Sequence, residues 1–187
     1  MTEPRIRELI TENSVEAELK KETTYFDLDG NERQELLGWI STAAPKVFAV
    51  TLQCDHSPSF LLESMLQFQE FEFDDTCLPI EDPRPLPSAG PPPRPVAFDD
   101  TDLWTDFKYF RFYKEQWTCL APIFTPIIPI KYTYNEHAEC IFPFTIVGAV
   151  PKVGAFSSVY RVNIHDDHQE NPSLRDVSHF YVFKQCR

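Results

Sequence analysis

Val150-Pro151-Lys152-Val153-Gly154-Ala155-Phe156-Ser157-Ser158-Val159-Tyr160-Arg161-Val162, followed by Phe180-Tyr181-Val182-Phe183-Lys184, is the part of the chain whose reading decides its fold. β-Branched and aromatic residues dominate both runs, which predicts strands. Gly154 stands where the first run turns back on itself. Pro151 has no N–H to give to a ladder, so it suits only a strand end or an edge. Residues 163–178 form a long polar insert before the last run. On these residues alone the segment is a β-hairpin followed by one further strand.

Upstream of this segment the apolar spacing changes from two residues to three or four. Ile6, Leu9, Ile10, Val15 and Leu19 make a loose amphipathic pattern. Asp29-Gly30-Asn31 reads as a turn leading to a helix through Leu36, Leu37 and Ile40. Residues 43–52 fit either a short helix or a strand. Ser57-Pro58 is a helix start, with Ser57 as N-cap and Pro58 in the first turn, and Phe60, Leu61, Met65 and Phe68 supply its buried face. From Asp99 to Leu120, acidic N-cap candidates at Asp99, Asp100 and Asp102, with Thr101, precede Trp104, Phe107, Phe110, Tyr113, Trp117 and Leu120. That spacing favours a helix, with a strand through Phe110 and Phe112 as the competing reading.

Between these helical stretches, residues 79–98 read as a linker. Pro83, Pro85, Pro87, Pro91, Pro92, Pro93 and Pro95 exclude a helix or an inner strand and predict an extended, exposed segment. Pro92 and Pro95 have PxxP spacing without the basic residue that an SH3 ligand needs at its flank, so a plain spacer is the better account. Strands are expected only after about Pro129.

The chain has 187 residues and a formal net charge of -12. That charge opposes nucleic acid and anionic lipid alike, and predicts neither as a partner. Acidic surroundings also make the aromatic run at 104–117 core rather than a stacking platform for bases. Five scattered cysteines, with no CxxC pair, predict reduced and mostly buried thiols rather than disulfides or a zinc ribbon. No apolar run spans a bilayer and no signal sequence opens the chain, so a cytoplasmic or nuclear protein is expected.

Three apparent motifs fail on chemistry. Aligning Gly30 with a calcium-loop glycine puts Tyr25 and Leu36 at positions that need oxygen ligands. His165-Asp166-Asp167-His168 has no helix to align its histidines and no third ligand at fixed spacing, so it reads as a solvated loop. The carboxylates Glu70, Glu72, Asp74 and Asp75 flank Phe71 and Phe73 as a polar rim.

The deciding segment resembles the opening of a protein-kinase small lobe. Gly154 falls on the second glycine of the glycine-rich loop, Phe156 on its aromatic tip, Val159 on the base-covering valine, and Lys184 on the phosphate-binding lysine. The wider run is similar to a family of fungal protein-kinase-domain proteins. It includes Phe112-Tyr113-Lys114-Glu115-Gln116-Trp117, Leu120-Ala121-Pro122-Ile123-Phe124, Ile141-Phe142-Pro143-Phe144, Ile164-His165 and His168-Gln169. In those proteins a helical N-terminal region precedes the kinase. The departures are Lys152 at the first glycine, Ser157 at the third, and Val182 where alanine faces the adenine.

What the resemblance implies is an α+β chain in four parts. They are a helical region at 1–78, a proline-rich linker at 79–98, an aromatic helical segment at 99–140 and a partial kinase-like N-lobe at 141–187. Gly154, Ala155, Phe156, Ser157, Val159 and Lys184 are the implied nucleotide residues, with weak or absent ATP binding. The resemblance implies no catalytic residue, because the His-Arg-Asp and Asp-Phe-Gly motifs are absent from these 187 residues. Magnesium is expected only with the lobe that carries them. The chain is therefore expected to be the N-terminal fragment of a kinase-like protein, inactive alone. The alternative is a non-catalytic helical interaction module with a vestigial kinase-like tail, whose aromatic segment binds a protein partner.

Overall fold

A computed structural model describes residues 3–81, 83, 94–121, 140, 142–146, 152–153, 157–165, 168 and 181–186. The described residues form two compact units, Glu3–Leu120 and Ala121–Arg187. The first is helical: α1 (Glu3–Leu9), α2 (Glu12–Leu19), α3 (Gly30–Thr42), α4 (Pro45–Cys54), α5 (Pro58–Glu70) and α6 (Asp106–Cys119). Helix therefore dominates the described residues before residue 121, and the described strands all lie after residue 143.

Local chemistry sets the helix ends. Thr11 breaks the first amphipathic run in two, because its hydroxyl accepts from Ser14 N and the Ser14 hydroxyl accepts from Thr11 N at 2.9 Å. The turn expected at Asp29-Gly30-Asn31 is the N-cap of α3. Asp29 accepts from Asn31 N and Glu32 N at 2.7 and 2.8 Å, and Glu32 accepts from Asp29 N. Residues 43–52 resolve as helix, and α4 takes its cap from a distant residue. Asp75 Oδ1 accepts from Lys46 N and Val47 N at 2.9 and 3.0 Å. One carboxylate of the expected polar rim is thus a structural cap. Ser57 and Pro58 hold the expected places at the start of α5, although the Ser57 side chain makes no cap hydrogen bond.

Helix α5 has its C-cap at Phe71, and the next residue, Glu72, takes the left-handed conformation with φ 52. Phe73 N donates to Phe68 O at 2.8 Å and Glu72 N to Gln69 O at 3.2 Å. The two aromatic rings that accompany this turn, Phe68 and Phe73, lie 5.0 Å apart. Glu72 is exposed, so glycine there removes the strain without removing a contact. Glu72→Gly is expected to raise stability by about 0.5–1 kcal/mol, read as a higher urea midpoint at unchanged slope. An unchanged or lower midpoint refutes it.

The aromatic helix packs with the helices that precede the prolines. Phe98, Trp104, Tyr109 and Phe112 enter the same core as Phe60, Phe68 and Phe73, with ring centroids 4.7–6.2 Å apart. Helix α6 packs chiefly on α4. Arg111 donates to Gln53 O at 2.6 Å, and Gln53 donates to the Thr118 hydroxyl at 3.3 Å. So residues 3–78 and the aromatic helix pack in one unit, Glu3–Leu120. The acidic residues at 99–102 do not cap α6 either. Asp100 accepts from Asp102 N and Leu103 N in a turn, and Thr105 caps the helix.

The linker expected at 79–98 is docked at both margins. Ile80 is buried, and so are Ala97 and Phe98. Arg94 donates to Trp104 O at 3.0 Å, pairs with Asp106, and stacks over the Tyr109 ring at 4.7 Å. Residues 84–93, which hold most of the prolines, lie outside the described residues.

A second tie joins the α4–α5 corner to α6. Asp55 accepts from Ser57 N at 2.9 Å and pairs with Lys108 at 3.1 Å, while Lys108 sits 4.0 Å over the Phe60 ring. The Ser57 N–H, followed by the nearby Lys108, holds the Asp55 carboxyl below its usual pKa. A depressed carboxyl contributes stability above its unfolded pKa, about 3.9, and loses it as pH falls through the folded value. Asp55→Ala is expected to cost about 1–2 kcal/mol at pH 7, with the deficit against wild type shrinking below about pH 4. A deficit constant down to pH 3 contradicts this account.

Candidate functional site

The second unit carries a small antiparallel sheet built on one long strand. β3 (Ser157–Ile164) pairs on one edge with β1 (Phe144–Ile146) and β2 (Lys152–Val153), and on the other with β4 (Tyr181–Cys186). Phe144 faces Ile164 and Ile146 faces Val162, then Lys152 faces Val159 and Val153 faces Ser158. On this edge, Tyr160 and Arg161 of β3 lie between the two pairings. Pro151, expected at a strand end or edge, lies outside the described residues.

Register fixes which residues share a face, because directly paired positions lie on the same side and successive positions alternate. One face carries Phe144, Ile146, Val153, Ser158, Tyr160, Val162, Ile164, Tyr181, Phe183 and Gln185. Ile164 is buried, and its neighbour Asn163 is exposed. The opposite face carries Thr145, Lys152, Ser157, Val159, Arg161, Asn163, Val182, Lys184 and Cys186. Its centre is one row across three strands, Lys152–Val159–Lys184.

The expected nucleotide residues divide accordingly. Ser157 and Val159 lie on β3, and Lys184 lies on β4 directly opposite Val159. Gly154, Ala155 and Phe156 lie outside the described residues. Lys152, read first as a departure from a glycine, occupies the same row as Val159 and Lys184. Arg161 shares their face one row away, opposite Val182. Counting alternate residues from Val159 along the strand finds Arg161 in the sequence; the pairing of Lys152 with Val159 needs the register.

Charge sorts what this face can hold. The chain has 29 acidic and 17 basic residues, yet the described strand residues include no Asp or Glu. Lys152, Arg161 and Lys184 are their only charged residues, and all three fall on one face. Phosphate groups suit the charge of such a face. Among the described residues no group of three or more His, Cys, Asp or Glu gathers as a metal site.

Elsewhere the candidates are weaker. The ring centroids of His165 and His168 lie 6.3 Å apart, and His168 N donates to His165 O at 2.9 Å. His168 is buried, against the solvated loop expected there, whereas His165 is exposed. Asp166 and Asp167 lie outside the described residues. A cleft lined by Glu18, Lys21, Leu52, His56, Ser57, Pro58 and Leu61 holds about 110 Å³, below the roughly 300–1,000 Å³ of small-molecule sites. Cys54, Cys119 and Cys140 are buried and Cys77 is exposed, all as free thiols. Burial pushes the Cys54 thiol up to about 12, away from nucleophilic use at neutral pH.

The aromatic run proposed to bind a partner is mostly core. Trp104, Phe112, Tyr113 and Trp117 are buried, Phe110 is half-buried, and Phe107 is exposed. No described helix is long and apolar enough to cross a membrane. No protein-family model matches this chain, and neither a curated protein nor a solved structure matches it significantly.

Proposed function

We propose that the second unit is the opening of a protein-kinase-like small lobe, carrying a degenerate nucleotide cradle behind a helical N-terminal unit. The observation that carries this reading is the register of Val159 against Lys184. In a kinase cradle, a valine on the returning strand covers the base, and a lysine on the next strand reaches the phosphates. Here those two residue types meet on adjacent antiparallel strands, on the one cationic face of the sheet. The residue types and spacing of Gly154–Val159 add to it.

Phosphoryl transfer also needs a glutamate to hold the lysine, an aspartate to orient the hydroxyl and an aspartate to hold magnesium. These 187 residues contain neither His-Arg-Asp nor Asp-Phe-Gly. The chain alone therefore binds ATP weakly and transfers no phosphate. Magnesium chemistry would enter only with a lobe that carries the Asp-Phe-Gly aspartate. In the interaction-module reading, the exposed Phe107 and the half-buried Phe110 are the rings of the stripe open to a partner.

Calorimetric titration of the chain with ATP, on wild type and Lys184→Ala, tests the reading. Weak binding that weakens further with salt and disappears in Lys184→Ala is expected, because an exposed cationic site is screened within about 10 Å at 0.1 M salt. Binding unaffected by Lys184→Ala removes the cradle. Phosphate transfer by the purified chain overturns the inactive assignment.

A further inference from the structure

We infer that the helical unit binds a water molecule between α5 and Trp104, held by the Ser64 hydroxyl and the Trp104 indole N–H, and that this water fixes how Trp104 seats in the aromatic core. Both side chains are fully buried. Neither Ser64 Oγ nor Trp104 Nε1 has a hydrogen-bond partner among the described residues. Buried polar groups are nearly always satisfied, by protein or by ordered water, so two such atoms in one place need a common account.

Ring geometry brings the two together. Phe60, Ser64 and Phe68 recur every four residues, so they lie one above another on a single face of α5. The Trp104 ring centroid is 4.8 Å from that of Phe60 and 5.3 Å from that of Phe68. The indole therefore bridges the turn that carries Ser64. The ordinary solution for a hydroxyl inside a helix is the carbonyl four residues back. Thr51, equally buried, takes it and donates to Val47 O at 2.8 Å; Ser64 does not. Indole Nε1 can only donate, so the missing partner is an oxygen that accepts from both groups.

Gln67 Oε1, the neighbouring position on the next turn of α5, is a third buried atom without a partner, and it can only accept. Two donors and one acceptor match the roughly three hydrogen bonds of a buried water. The water accepts from Trp104 Nε1 and Ser64 Oγ and donates to Gln67 Oε1. An anion does not suit the place, because the rings around Trp104 are those of Phe60, Phe68, Phe98 and Phe112 and carry no countercharge. Ring contacts leave an indole's orientation loosely set, whereas a satisfied polar bridge selects one.

The test is proton NMR of the whole isotope-labelled chain in water, with the Trp104 indole and Ser64 resonances assigned. In wild type, Trp104 Hε1 and Ser64 Hβ should both give cross-peaks to water with NOE and ROE of opposite sign, the mark of a bound water. Ser64→Ala leaves the space and Gln67 in place and should keep the Trp104 cross-peak. Ser64→Val fills the space with methyl groups and should lose it. Thermal unfolding checks that each variant folds. A Trp104 cross-peak that survives in folded Ser64→Val overturns the inference. So does its loss in folded Ser64→Ala, since the signal then came from the Ser64 hydroxyl proton exchanging with solvent. Where a variant does not fold, wild type decides alone: both cross-peaks uphold the site, and the absence of either removes it.

Discussion

Phe68→Ala should lower the stability of the helical unit by about 3–5 kcal/mol. Phe68 is fully buried on α5, and its ring lies 5.0–6.0 Å from those of Phe73, Phe98, Trp104 and Phe112. Those partners come from the C-cap turn, from the far side of the proline-rich segment, and from α6. Removing the ring leaves a cavity bounded by large, mutually packed aromatics, which have little room to collapse into it. Since a domain of this size is stable by roughly 5–15 kcal/mol, the loss is a large share of the total. Trp104 stacks on Phe68 at 5.3 Å, so tryptophan fluorescence in a urea titration reads the loss directly. Phe107→Ala is the matched control, because Phe107 is 68% exposed; it should change stability by less than about 0.5 kcal/mol. A Phe68→Ala cost near that of the control would mean that this aromatic cluster does not hold the unit together.

The same cluster shows where sequence reading stopped. The face Phe60, Leu61, Met65, Phe68 was legible from spacing, and so was the helix through Tyr113 and Trp117, because periodicity is a local signal. Helix starts at Ser57-Pro58 were legible for the same reason. What spacing did not reveal was that Phe98 and Trp104 return across the prolines to pack on α5. Proline density forbids helix but says nothing about where the two ends of a segment dock. Asp75 as the cap of α4 was equally hidden, since its partners are Lys46 and Val47. In the sheet, residue types marked the hairpin, and alternation placed Val159 and Arg161 on one face. The interruption between β1 and β2 shifts the pairing of everything before it, and no residue type announces by how much. Lys152 could be read as an odd residue in a glycine position, but only the pairing puts it in a row with Lys184.

Gln116→Leu should cost about 2–3 kcal/mol and free the chain around Ile80. Gln116 is fully buried on α6, with an amide that does the work of a neighbouring strand. Ile80 N donates to its Oε1 at 2.8 Å, and its Nε2 donates to Ile80 O at 3.0 Å. Leucine keeps most of the volume but leaves both Ile80 groups without their partner in a buried place, which is where an unmade hydrogen bond costs most. Gln116→Glu separates this role from packing. The introduced carboxylate still accepts from Ile80 N but faces Ile80 O without a proton to give, so burial and that carbonyl both raise its pKa. A raised folded-state pKa contributes stability that is full below the unfolded value, about 4.3, and lost as pH rises through the folded one. Gln116→Glu should therefore approach wild type at low pH and fall behind it toward neutral pH, whereas Gln116→Leu stays deficient throughout. Limited proteolysis at pH 7 supplies the local readout. Cleavage near residues 78–81 should accelerate in both variants, and the two fragments of a wild-type chain cut between 84 and 93 should still elute together, held by the packing of α6 on α4 and by the Gln116–Ile80 pair. Separation of those fragments under native conditions, or a pH-independent deficit in Gln116→Glu, would show that the segment is a linker between independent parts after all.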